Sequence, residues 1–114
     1  MANAFKTFTL RDIDDTSATL YTCPSATETT IIGLNVANIL SVSITVSVEL
    51  YDGGGGTPTH IVKDAIVPVG SSLVAVGGDQ KIVMNATDIL KVKGSQTNCC
   101  DAIASVLELS LIHI

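Results

Sequence analysis

Hydrophobic and polar positions alternate most regularly between Ser41 and Tyr51, S-V-S-I-T-V-S-V-E-L-Y. Val42, Ile44, Val46, Val48 and Leu50 fall on one parity; Ser41, Ser43, Thr45, Ser47 and Glu49 fall on the other. A period of two turns one row toward a core and leaves the other wet or lightly covered. On a helix the same apolar residues would scatter around the circumference. The apolar row is rich in β-branched side chains, which suit a pleated surface. The pattern predicts a central strand of an antiparallel sheet, with the rest of the chain paired with it or packed over it.

Weaker alternations surround it. Phe5 to Leu10 predicts a short edge strand, and the charged run Arg11 to Asp15 a loop. Ala18 to Cys23 reads as a strand stopped by Pro24, which has no N–H for a ladder. Glu28 to Asn38 follows, with Ile32, Leu34 and Val36 as its inner row. Its outer row, Gly33, Asn35 and Ala37, is small and flat, the kind of surface against which a neighbour lies. Thr59 to Ile66, Leu73 to Val76, Gln80 to Met84 and Ile89 to Lys93 are further strands, separated by Gly, Pro, Asn and Asp turns.

Two readings fit the closing segment from Cys100 to Leu111. Ile103, Leu107, Leu109 and Leu111 share strand parity, while Ile103, Val106, Leu107 and Ser110 share a helix face. The strand is preferred, because the preceding strands need a partner. Eight or nine short strands with regular turns predict an all-β fold, an antiparallel β-sandwich or jelly-roll-like domain spanning residues 1–114. Strand order is not readable from turns, so a closed barrel stays open.

Composition narrows the function classes. The chain is 46% hydrophobic with a mean hydropathy of +0.49, more than a lone domain of this size needs, and the surplus points to association. The net charge is −5, a poor match for nucleic acid, which needs basic clusters. No apolar run is long enough to span a bilayer, and the opening Met1 to Lys6 lacks the pattern of a signal peptide. There is no Trp, and of the aromatics only Tyr21 and Tyr51 are placed to stack on a sugar.

Candidate chemistry is sparse. His60 and His113 have no spaced partners in a metal-ligand pattern. Cys99 and Cys100 are adjacent, so on a strand they point to opposite faces: one a small core residue, the other toward a loop or interface. An intersubunit disulfide is the less favoured reading. Asp12, Asp14, Asp15, Asp79 and Asp88 sit in turns, where Asp serves backbone hydrogen bonding. Gly53 to Gly56 lacks the Lys-Ser/Thr of a phosphate loop and reads as a hairpin tip. Asn85-Ala86-Thr87 fits the glycosylation triplet, a pattern common by chance. No catalytic constellation, cofactor or metal is expected, and a small-molecule ligand is not expected either.

Surplus apolar residues give the candidate subunit-interface set: Phe5 and Phe8 near the start, the turn residues Ile39 and Leu40, and the tail residues Leu111, Ile112 and Ile114. Ile39 and Leu40 serve equally well as a cap on the core. The tail either extends the last strand or docks on a neighbouring subunit.

Longer stretches carry a resemblance. They are Leu20-Tyr21-Thr22-Cys23-Pro24, Thr30 to Asn38, Ile44 to Val48, His60 to Ala65, Val67 to Leu73, Gly78 to Val83, Asp88 to Val92 and Ser105 to Glu108. Together they resemble the small β-sandwich structural proteins of tailed bacteriophages, including cyanophages and other marine phages. The chain departs from that pattern at Ile39-Leu40 and at Cys99-Cys100. The resemblance implies a non-enzymatic virion component, made in the host cytoplasm. Its partners would be copies of itself and other virion proteins such as the major capsid protein, with neither nucleic acid nor membrane among them. A capsid decoration or cement protein is the leading expectation. A neck, tail, baseplate or fibre adaptor is the alternative within that class, and a cell-surface glycan-binding module the alternative outside it.

Overall fold

A computed structural model describes residues 3–111. Nine strands are present among them: β1 (Asn3–Ile13), β2 (Ala18–Thr22), β3 (Thr27–Asn38), β4 (Ile44–Tyr51), β5 (Thr59–Val67), β6 (Ser72–Val76), β7 (Ile82–Met84), β8 (Ile89–Lys93) and β9 (Cys100–Ser110). They form two antiparallel sheets. One has the order β1-β9-β3-β6, with β7 also paired to β3; the other has the order β2-β8-β4-β5. β7 pairs with Thr29 to Ile31 and β6 with Leu34 to Ala37, so the two lie end to end along β3 like halves of one broken strand. Apart from β4–β5 and β6–β7, consecutive strands lie in opposite sheets, so the chain crosses repeatedly between the two layers of a β-sandwich.

β4 lies inside its sheet, between β8 and β5, as the alternation predicts. Its first turn of sequence does not join: the strand begins at Ile44, and Val42 is exposed. Ile44, Val46 and Val48 are buried beside Leu90 and Val92, and they share one core with Ile31, Leu34, Val36 and Val106 of the other sheet.

Four departures from the sequence reading have local causes. β1 continues through the charged run to Ile13, which is buried; an irregularity between Leu10 and Ile13 puts Asp12 at φ 54° and lets its N–H donate to Asp101 Oδ1 at 2.9 Å. β3 carries a bulge at Ile32, since Ile31 opposes Val106 and Gly33 opposes Ser105. The bulge changes parity, so the inner row is Thr27, Thr29 and Ile31, then Leu34, Val36 and Asn38, and Ile32 falls outside it. Gln80 and Lys81 stay outside β7, which starts at Ile82. The closing segment is a strand, but its inner row is Cys100, Ala102, Ala104, Val106 and Glu108; the larger Ile103, Leu107 and Leu109 face outward.

The apolar turn after β3 is built by Asn38. Its Nδ2 donates to the carbonyls of Val42 (2.8 Å) and Val67 (3.0 Å), and its Oδ1 accepts from Leu40 N (2.8 Å). One side chain thus supplies the hydrogen bonding that a Gly or Ser turn would otherwise provide.

Candidate functional site

The register places the outward residues of the five-stranded sheet in cross-strand rows. Phe5, Leu107, Thr30 and Val83 lie abreast on β1, β9, β3 and β7. Thr9, Ile103, Asn35 and Val74 lie abreast on β1, β9, β3 and β6. Between these rows run Thr7, Ser105 and Gly33, all small, with the bulged Ile32 beside Gly33 at the β3 end. The result is two apolar ridges with a shallow trough between them. The ridges are open to solvent: Phe5 is 78% exposed, Val74 66%, Val83 59% and Ile103 49%. No ionisable side chain stands in these three rows; Glu28, beside Leu109, and Asp101, beside Ala37, mark the two ends of the face.

The outer face of the four-stranded sheet is of another kind. Ser47 and Glu49, on the polar parity of β4, are buried. Ser17 Oγ donates to Glu49 Oε1 at 2.5 Å, and His60 Nε2 stands 3.4 Å from Glu49 Oε2. Ser47 Oγ accepts from Asp64 N at 2.9 Å and lies 3.3 Å from Asp64 Oδ1. Lys91 Nζ sits 4.6 Å above the centre of the Tyr51 ring. Ile66 is an isolated exposed apolar residue there.

Between the sheets lies a polar cluster. Tyr21 Oη donates to Glu108 Oε2 at 2.5 Å, and Lys6 Nζ is 2.8 Å from Glu108 Oε1. Because the single Tyr21 proton goes to the carboxylate, Thr29 Oγ1, 2.7 Å away, donates to Tyr21 Oη. Cys23 Sγ lies 3.3 Å from Thr29 Oγ1. The hydrogen bonds from Lys6 and Tyr21 hold the Glu108 carboxyl below the usual carboxylate range. Burial and the neighbouring Glu108 push the Tyr21 hydroxyl well above the usual phenol range. The cluster fastens the inner side of β9 to β1, β2 and β3.

Cys23, Cys99 and Cys100 are free and buried. Cys99 precedes β9 and so escapes the strand alternation; its Sγ lies 3.8 Å from that of Cys100, and both thiols face the interior. Burial first, with Cys99 adding to it, pushes the Cys100 thiol up to about 12. All three thiols are shielded within the single chain, so none is presented at its surface for an intersubunit disulfide. Among the described residues no group of three His, Cys, Asp or Glu side chains is placed to hold a metal ion. Asp88 is a loop fastener: it accepts from Gly53 N and Asn85 N at 2.8 and 2.9 Å.

The structure sorts the candidate interface residues. Phe5, Ile39 and Leu111 are exposed. Phe8 is turned inward, its ring centre 4.5 Å from that of Tyr21, because Phe8 pairs with Ala104 on the inner parity of β9. Leu40 packs on the core, the capping role. Ile112 and Ile114 lie outside the described residues. Sequence reasoning missed Val74, Val83, Ile103 and Leu107; the flat outer row of β3 was the one cue to them.

No protein-family profile matches the chain, and no curated protein matches it. Solved structures do resemble it in fold. A chain from the disulfide-linked pili of Bacillus endospore appendages superposes with TM-score 0.59 at 15% identity, covering 97% of this chain and 88% of that one. A chain from the acidic stable capsid of Helicobacter pylori bacteriophage KHP30 gives TM-score 0.57 at 11% identity, covering 100% of this chain and 92% of that one. A chain of the infectious bursal disease virus Gx strain gives 0.52 at 14% identity, covering 94% of this chain and 32% of that one. At these identities the shared property is the fold, and it is that of capsid and pilus proteins.

Proposed function

We propose that the chain is a non-enzymatic structural subunit of a virus particle, and specifically a decoration or cement protein of a bacteriophage capsid. The observation that supports this most is the end-to-end likeness to a phage capsid chain: the match covers all of this chain and 92% of that one, so the neighbour too is little more than one sandwich. A module of this size adds buried area across seams between shell subunits, and repetition over the shell turns modest contacts into strong holding through multivalency. Its partners are copies of itself and the major capsid protein, and its place is the virion. Neck, tail or baseplate attachment is the same physics at lower copy number. A pilus-type filament is the second reading, favoured by the endospore-appendage likeness. The glycan-binding reading loses its support: Tyr21 is buried in the core and Tyr51 lies under Lys91.

The test is to locate the protein in purified particles of the phage that encodes it, by mass spectrometry for copy number and electron cryomicroscopy for position. Hundreds of copies spread over the shell is the expected result. A few dozen copies at the neck or tail moves it to an adaptor, and absence from the particle with filaments formed by the purified protein favours the pilus reading.

A further inference from the structure

We infer that the outer face of the five-stranded sheet is a homotypic interface that takes the same face of a second copy of this chain. The inference deepens the structural-subunit reading and rests on it only for its setting.

Three observations point to a second copy. The first is shape. Outward rows on one sheet face repeat about every 7 Å along the strands, so a ridge, the trough and the next ridge are evenly spaced. The Phe5–Leu107 ridge of one copy then fits the Thr7–Ser105 trough of the other, and the two-fold relation returns the favour, residue for residue. Such face-to-face packing of apolar sheet surfaces is what already joins the two sheets within the chain.

The second is charge. The molecule carries −5 overall, so two copies repel through most approaches. The three central rows carry no ionisable side chain; Glu28 lies at one end and Asp101, with Arg11 near it, at the other, where a rim stays solvated. A copy can settle there without burying a charge, and a basic partner gains nothing from this face.

The third is area. The three uncharged rows, about 7 Å apart and four strands wide, present roughly 400 Å2 in projection, about half the ~800 Å2 per partner of a standard interface and in the range of a small one. Its apolar residues Phe5, Val74, Val83 and Ile103 are each about half to four-fifths exposed in the single chain, a concentration of exposed apolar side chains on one face of the kind that marks an association site.

Sedimentation equilibrium of the purified full chain tests this, with Ile103→Glu and Val74→Lys on the face and Ile66→Glu on the other sheet as control. The wild type is expected to be a dimer whose association is unchanged or tighter from about 0.05 M to about 0.5 M salt, because salt screens the net negative charge of the two copies and leaves apolar contact intact. Each face variant is expected to weaken association at least about 100-fold, since it places unpaired charges in the contact, with the wild-type circular dichroism spectrum retained. The Ile66→Glu control is expected to stay dimeric. If Ile103→Glu fails to fold, Val74→Lys decides. A wild type monomeric up to about 100 µM, a dimer that survives both face variants, or association that collapses with salt would overturn the inference. The particle experiment reads separately: a dimer absent from virions removes the virion role alone, while a monomeric protein mapped on the shell removes the homotypic face alone.

Discussion

The two outer faces of the sandwich handle polarity in opposite ways. On the four-stranded sheet, Ser47 and Glu49 are buried and each meets partners from its own chain: Ser17 and His60 for Glu49, Asp64 for Ser47. That surface is complete. On the five-stranded sheet the outward row of β9 holds larger apolar side chains than the inward row, Ile103 and Leu107 against Ala102 and Ala104. Its one buried polar atom lacking a partner, among the described residues, is Asn35 Oδ1, in the ridge between Ile103 and Val74. Large residues outside and small ones inside is the reverse of what a solitary sandwich needs, and it distinguishes a surface built to be covered from one that is finished by itself.

A graded series of substitutions sharpens that contrast. The largest effect is expected on the inner side of β9: Glu108→Ala strips the acceptor from the buried Tyr21 hydroxyl and from Lys6, and urea unfolding should show a loss of about 3 kcal/mol. The same carboxylate sets an acid limit. Its folded-state pKa lies below the ordinary value, so the stability it contributes is full above the ordinary carboxylate range and is lost as the pH falls through that range toward the lowered folded value. Glu108→Gln should flatten that part of the stability–pH curve; an unchanged acid limb would show that other carboxylates govern it.

Next comes the finished face. Glu49→Val leaves Ser17 and His60 without their acceptor, and a loss of about 1–2 kcal/mol is expected in the same assay. Asn35→Val, on the open face, should raise stability by up to about 1 kcal/mol by deleting the unpaired oxygen. The smallest change is expected for Ile103→Thr, within about 0.5 kcal/mol when measured at concentrations where the chain is monomeric. A cost above that would mean the ridge is part of the single chain's own core, and the distinction between the faces would fail.

Much of the fold was legible because β4 and β8, each flanked on both sides, keep the period of two without interruption. β4 is the best case, and β8 from Ile89 to Lys93 was read to the residue. What escaped had physical causes that leave little trace in a single sequence. A bulge at Ile32 switches parity halfway along β3, and two adjacent isoleucines give no hint of which one is extra. In β9 both parities are apolar, so side-chain size invited the wrong choice; the small inner row shares one filled core with the larger Leu90, Val48 and Val92 of the other sheet. Phe8 stands with Phe5 among the interface candidates because the strand's own alternation is loose, and only the pairing with Ala104 shows it turned inward. Asn38 hid its role because the bonds it makes reach Val67, far along the chain. The exposed candidates Phe5, Ile39 and Leu111 were visible as surplus hydrophobicity, whereas the ridges, one of which includes Phe5, required the register.

The bulge in β3 also governs how the chain can change in length. Ile31 and Ile32 are identical neighbours, and the ladder to β9 skips one of them. An in-frame deletion of a single isoleucine codon would leave Ile31 opposite Val106 and Gly33 opposite Ser105, a regular ladder with every other side chain on its present face. Loss of Leu34 instead would turn Asn35 inward and Val36 outward. The middle of a buried strand, ordinarily the place least able to lose a residue, here holds a spare one.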